Sequence, residues 1–179
     1  VRQGNTVLEM KTFNSMDLMQ LCGAIKNKYD NETVMTKPQE ILVDVIGLGS
    51  GVVDRLSEQN LPVRGVNVAE APSTKKNFLN LRAELWFAIK DWLAQRDCRL
   101  PNDDELVAEL VAPIYKYTST GKIKIESKEE MKKRGIKSPD RADALALTMA
   151  SAAASFSGSQ SFMGYNFKKP LKSRILRVG

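Results

Sequence analysis

Ile41-Leu42-Val43-Asp44-Val45-Ile46-Gly47-Leu48-Gly49 is an apolar run that carries one acid and closes on glycines. Branched aliphatic residues dominate 41–46, which predicts a buried strand, followed by a glycine turn over 47–51 and a short helix over 52–59. An ionised Asp44 is expensive to bury there unless something positive compensates it, and a metal ion would. A second acidic segment lies far downstream, Ser138-Pro139-Asp140-Arg141-Ala142-Asp143-Ala144-Leu145. With no His and only two Cys in the chain, carboxylates are almost the only strong ligands on offer. Carboxylate and water donors favour Mg or Mn over Zn. The two segments together suggest a carboxylate-held Mg or Mn site.

Outward from that strand the pattern alternates. Residues 1–13 read as a hairpin turning at Gln3-Gly4-Asn5. Ser15 is a candidate N-cap for a helix to about Tyr29, with Leu18, Leu21, Cys22 and Ile25 on one face. A further strand is expected at about 62–68. The strongest helix is 77–95, its stripe made by Phe78, Leu81, Leu85, Ile89 and Trp92. A shorter helix at 103–112, a second hairpin at 114–125 around Ser119-Thr120-Gly121 and a charged helical turn at 126–134 follow. Ser138 as N-cap, with Pro139 at the first helical position, opens an Ala-rich helix to about Ala154. The alternation predicts an α/β fold with a parallel portion of sheet. Residues 1–154 are expected to form one domain, and 155–179 a flexible basic tail.

The chain has 179 residues, 42% of them hydrophobic, enough for one domain with a real core. No apolar stretch is suited to spanning a bilayer and no signal-peptide pattern opens the chain. A soluble intracellular protein, with Cys22 and Cys98 as packed thiols, is the simplest reading. The lack of His removes Ser-His-Asp and Cys-His catalysis, His-ligated zinc and a His general base. Of the net charge of +6, residues 155–179 supply +5, through Lys168, Lys169, Lys172, Arg174 and Arg177 with no acid. Its basic residues suit DNA binding, docking on an acidic partner or simple solvation, and its aromatics Phe156, Phe162, Tyr165 and Phe167 favour docking.

Gly47-Leu48-Gly49-Ser50-Gly51 sits where a dinucleotide fingerprint would, but Val52 stands where the pattern requires its third glycine. No Gly-Lys-Ser/Thr occurs, which removes a P-loop. Asp44 admits three readings, as a satisfied buried acid, a ribose-binding acid or a metal ligand. Asp140 suits the first turn of a helix on dipole grounds alone, and Asp143, at i+3, can point at the same locus.

A strand acid, a glycine turn and late helix acids in this order resemble the nuclease domain of tailed-phage terminase large subunits. The resemblance runs from Ile41 through Ala154. It implies a ribonuclease H-like mixed sheet flanked by helices, with an extra β-hairpin. Asp44 in Val43-Asp44-Val45-Ile46-Gly47 matches the family's second catalytic acid, and Asp143 in Asp140-Arg141-Ala142-Asp143-Ala144-Leu145 the third, with Asp140 auxiliary. Gly65-Val66-Asn67 and Glu126-Ser127-Lys128-Glu129 also look like the family. The family's first catalytic Asp, on the strand before the hairpin, has no match here, so the expectation is an N-terminally truncated domain whose activity depends on an upstream piece.

What the resemblance implies is a metal-dependent DNA endonuclease that cuts concatemeric DNA during viral genome packaging. Its two cations lie about 3.5–4 Å apart, with Asp44 bridging, Asp143 holding the second ion and Asp140 assisting, so Asp44 and Asp143 are expected to converge. Lys122, Lys124 and Lys128 are candidates for phosphate contacts, with a solvated charge run as the plainer account. The implied partners are double-stranded DNA, the portal, the small terminase subunit and an ATPase motor domain in the parental chain, all in the host cytoplasm. The alternatives are a non-catalytic DNA-binding or assembly module, or another ribonuclease H-like nuclease such as a junction resolvase.

Overall fold

The structure, a computed structural model, describes residues 1–73 and 75–151. The linker and basic tail expected from 155 onward lie outside them. The chain divides into two compact units, one of Lys11–Val68 and the other of Val1–Met10 with the residues from Ala69 onward. The sequence reading takes 1–154 as a single domain.

The Lys11–Val68 unit is a strand–helix–strand motif with a preceding helix. Helix α1 (Leu18–Asn31) starts at Asp17, whose side chain accepts from Gln20 N while Gln20 reaches back to the Asp17 backbone. This capping box displaces the expected Ser15 cap, because it satisfies two orphan donors at once. Ser15 instead adopts a left-handed φ of 58°. After the short amino-terminal strands β1 (Arg2–Gln3) and β2 (Thr6–Val7), β3 (Ile41–Asp44) pairs in parallel with β4 (Val63–Val66), Ile41 opposite Val63 and Asp44 opposite Val66. Between them runs α2 (Gly49–Glu58). Cys22, Val52, Leu56 and Leu61 form the core, with Leu18, Ile25, Ile41, Val43 and Val63 packed against them. Each such side chain contributes on the order of 1.5–3 kcal/mol through burial.

The expected glycine turn is shorter than read, since α2 already begins at Gly49. The close approach there explains the glycine: a Cβ on Gly49 would stand 1.7 Å from the carbonyl oxygen of Asp44. Gly47 takes a left-handed φ of 74°, which glycine adopts freely. Packing and turn geometry account for these glycines without a nucleotide.

In the other unit, β1 (Arg2–Gln3) and β2 (Thr6–Val7) form the expected hairpin. The strand ends at Val7, short of the expected Phe13, and Met10 is the last residue of that segment in this unit. Val7 N donates to Arg99 O and Arg99 N to Asn5 O, each at 2.8 Å. Helix α3 (Leu81–Ala94) buries Leu81, Leu85, Trp86, Ile89 and Trp92. It begins at the Asn80 cap, later than expected. Phe78 therefore lies outside the helix and forms a bridge with Ile123 instead. Next come α4 (Asp104–Val111), the antiparallel hairpin of β5 (Tyr115–Tyr117) and β6 (Ile123–Ile125), α5 (Lys128–Lys133) and α6 (Asp140–Leu147). Helix α6 packs on α3 and α4, and β6 on α3.

The fold class is mixed α/β, as read from sequence, with parallel and antiparallel pairings in three two-stranded ladders among the described residues. No described helix is long and apolar enough to cross a membrane. Gly49→Ala is expected to destabilise the protein by about 1–3 kcal/mol or more, because α2 must move off the Asp44 carbonyl. Urea unfolding, compared with the milder Ser50→Ala, measures it.

Candidate carboxylate site

Helix α6 carries the two late acids, and its amino terminus is built by other elements. Pro139 occupies the N-cap position and makes no side-chain cap bond. Ser138, expected to cap, instead donates its hydroxyl to Asp140 Oδ1 at 2.7 Å. The capping is done from α4: Glu109 Oε2 accepts from the backbone N–H groups of Arg141 and Ala142, at 2.7 and 3.0 Å. Arg141 itself is clasped by Asp103, at 2.6 and 2.8 Å, and by Glu105 at 2.5 Å. At the other end of α6, Arg2 donates to the carbonyl of Thr148 at 2.9 Å. An anion at the amino end and a cation at the carboxyl end both complement the helix dipole.

Asp143 is the fixed member of the acid pair. Its Oδ1 accepts from Trp86 Nε1 at 2.9 Å and from Arg82 Nε and Nη2 at 3.2 and 3.1 Å. Its side chain is 20% exposed, against 70% for Asp140. The Lys128 ammonium bridges the pair, 2.9 Å from Asp140 Oδ1 and 3.5 Å from Asp143 Oδ2. Hydrogen bonding from Ser138, with Lys128 adding its bond and charge, outweighs burial and holds the Asp140 carboxyl below the usual aspartate range. Burial works against the Lys128 charge, but the two carboxylates outweigh it and its pKa is raised.

A second ion pair braces the first. Arg82 Nη1 donates to Glu126 O at 2.7 Å, and the buried Glu126 carboxylate accepts from Arg134 at 2.7 and 2.6 Å. The Arg134 hydrogen bond comes first among the causes that depress the Glu126 pKa despite its desolvation.

Asp44 lies in the other unit, at the carboxyl end of β3. It is exposed, and its Oδ1 accepts from Ile46 N at 3.1 Å. The premise that its strand buries it is therefore corrected. The last residue of the strand turns its side chain to solvent, and a local turn bond, rather than a counter-charge, satisfies one oxygen. Exposure at a strand's carboxyl end is where open α/β sheets place ligands.

Of the residues singled out from sequence, the structure gathers Asp140, Asp143 and Lys128. Lys124 pairs with Glu130 at 3.2 Å, and Lys122 stands exposed beside the hairpin turn. Among the described residues no group of three or more His, Cys, Asp or Glu side chains is arranged to hold a metal. The pair at α6 nevertheless suits a hard cation, since two carboxylates already converge on one positive charge and Mg commonly binds through one or two carboxylates plus water. Sequence reading missed Arg82, Trp86 and Glu109. The spacing of Arg82 and Trp86, i and i+4 on the same helix, was the available signal for the first two.

The same arrangement of elements is found in the nuclease domain of the large terminase subunit of bacterial virus Sf6. A variant of that domain with manganese and beta-thujaplicinol superposes with a TM-score of 0.68 at 21% identity, over 83% of this chain and 79% of that one. The variant with manganese alone gives 0.63 at 21% identity, over 83% and 80%. The chain has the fold of a terminase nuclease domain. A further structure of the Sf6 domain gives a TM-score of 0.58 at 22% identity, over 83% of this chain and 79% of that one. No protein-family model and no curated protein sequence matches the chain. The mixed α/β fold that the resemblance implied is the class observed, and it is the fold of these terminase nuclease domains.

Two outcomes follow from this geometry. Glu109→Ala leaves two backbone donors of α6 without their cap and is expected to cost about 1–3 kcal/mol in chemical unfolding. For the Lys128 bridge, a depressed Asp140 pKa contributes stability above the ordinary aspartate value and loses it as pH falls through the lower folded-state value. A raised Lys128 pKa contributes stability below the ordinary lysine value and loses it as pH rises through the higher one. Without metal, wild type should therefore exceed Lys128→Gln by about 0.2–1 kcal/mol across neutral pH. The difference should shrink below about pH 4 and above about pH 10.4, as read by melting curves in chelator.

Proposed function

We propose that this chain is the metal-dependent endonuclease domain of a viral genome-packaging terminase, cutting concatemeric double-stranded DNA. The observation that carries the reading is the Asp140–Lys128–Asp143 bridge at the start of α6, on a fold shared with a terminase nuclease domain determined with manganese.

In this reading Asp44, Asp143 and Asp140 would be the ligands of two Mg or Mn ions. When bound, the ions supply hydroxide for attack on a phosphodiester and stabilise the leaving oxygen. The chain's own residues prepare the place. Arg82 and Trp86 orient Asp143, both donating to its Oδ1, while Arg82 at 3.4 Å and Lys128 at 3.5 Å face its Oδ2. Lys128 offsets part of the charge of the two carboxylates. Lys122, exposed beside the hairpin turn, contributes a phosphate contact, and phosphate contacts of this kind read no sequence. DNA, the portal, the small terminase subunit and an ATPase domain of the same polypeptide are the partners of this role, which is carried out in the host cytoplasm.

The test is cleavage of supercoiled plasmid with Mn, with Mg and with chelator, by the 179-residue chain and by a polypeptide that adds a strand bearing the family's first acid upstream, alongside calorimetric titration of Mn. Metal-dependent, sequence-tolerant nicking and linearisation are expected of the longer polypeptide and little of the 179-residue chain, with Asp143→Asn and Asp44→Asn each reducing cleavage by more than about a hundredfold, beyond the loss typical of a residue that only orients a ligand. DNA binding without cleavage under any metal would assign the chain to the non-catalytic module. Cleavage confined to four-way junctions would assign it to the resolvases.

A further inference from the structure

The β5–β6 hairpin leaves one edge open. Thr118 N donates to Lys122 O at 2.8 Å and Glu126 N to Ile114 O at 2.9 Å. In that antiparallel register the hydrogen-bonded pair between them is Lys116 with Lys124, and Tyr115 and Tyr117 turn their N–H and C=O groups away from β6. On the far side of β6, Ile123 exchanges bonds with Asn77 and Leu79, both at 2.8 Å. The outward backbone groups of β5 meet no partner among the described residues.

The two faces of this edge differ in chemistry. Tyr115 and Tyr117 are 54% and 68% exposed on one side. Tyr115 packs edge-on against Phe87 at 5.4 Å and Tyr117 at 6.1 Å. Beside Tyr115 opens a groove of about 380 Å³ lined by Phe87, Leu93, Ala94, Leu110 and Ile125. Val111 and Ile114, 78% and 42% exposed, extend the apolar surface. On the other side stands Lys116, opposite Lys124. Glu130 and Glu126 lie within electrostatic reach of Lys116 but are engaged by Lys124 and Arg134.

We propose that β5 and the adjoining groove dock an extended segment of a partner protein by strand addition, with an acidic residue facing Lys116 and apolar residues over Tyr115 and Tyr117. Unpaired strand edges accept extended backbone in this way. Charge selects the occupant. A second copy pairing β5 with β5 about Lys116 would set lysine against lysine, which is destabilising. Residues 155–179 of this chain offer five basic residues and no acid, so they lack the complementary charge. The inference is independent of the nuclease reading.

The test uses the full chain and a labelled, end-capped peptide alternating valine and glutamate, followed by fluorescence anisotropy. Saturable binding is expected, at least about tenfold tighter than for the same peptide with lysine in place of glutamate. Methylating the valine nitrogens, which would donate to Tyr115 and Tyr117, should abolish it. Lys116→Glu should invert the preference towards the lysine peptide, a gain that a misfolded variant could not produce. Equal binding of both peptides, indifference to methylation or an unchanged preference in Lys116→Glu would overturn the proposal. So would dimerisation of the chain through β5, or binding of a single-stranded oligothymidylate at these tyrosines where the peptide does not bind.

Discussion

Everything near the candidate site depends on how the short helix α6 is held. It has no side-chain cap of its own, and orphan N–H groups at a helix start need partners. They are supplied by Glu109 from α4, while Arg2 from the amino-terminal hairpin reaches the carbonyl at the helix end. Both contacts have the sign the helix dipole favours. A helix of this length contributes little stability through its own propensity. Its position is set by what is bonded to its two ends and by the packing of Ala142, Leu145 and Ala146.

Once α6 is placed, Asp143 becomes a half-buried anion, and the rest of the unit is arranged to receive it. Arg82 and Trp86 come from α3 and Lys128 from α5, and Arg82 continues to the Glu126 carbonyl. In such a network removing one partner costs more than the pair itself contributes, because the charge left behind is poorly solvated. That asymmetry ties site to fold. A change at Arg82 acts on Asp143 orientation and on the α3–α6 packing together.

Asp44 follows a different logic. It ends β3, so its side chain escapes the apolar core while its carbonyl lies against Gly49. A carboxylate at such a strand end is reached by solvent and needs no counter-charge beside it. The glycines after it let the helix start close behind, which is packing chemistry rather than phosphate recognition. The same reasoning separates the two acids by role, with Asp143 held in place by donors and Asp44 presented at an edge.

Read alone, the amino-acid pattern gave the alternation of strands and helices, a parallel portion of sheet, the hairpin at 114–125 and the exclusion of His chemistry, because these rest on local periodicity and composition. It also located the acids, since an Asp amid Ile, Leu and Val and an i, i+3 acid pair at a helix start are visible as text. Boundaries shifted where a stronger local bond won, as at Asp17 over Ser15, and where a tertiary contact did, as with Phe78 and Ile123. Capping of α6 by Glu109, clasping of Arg141 by Asp103 and convergence of Arg82, Trp86 and Lys128 on Asp143 join residues far apart in the chain. No periodicity encodes those meetings, and only the packed tertiary structure, which sets which faces of α3, α4 and α5 look at α6, could decide them.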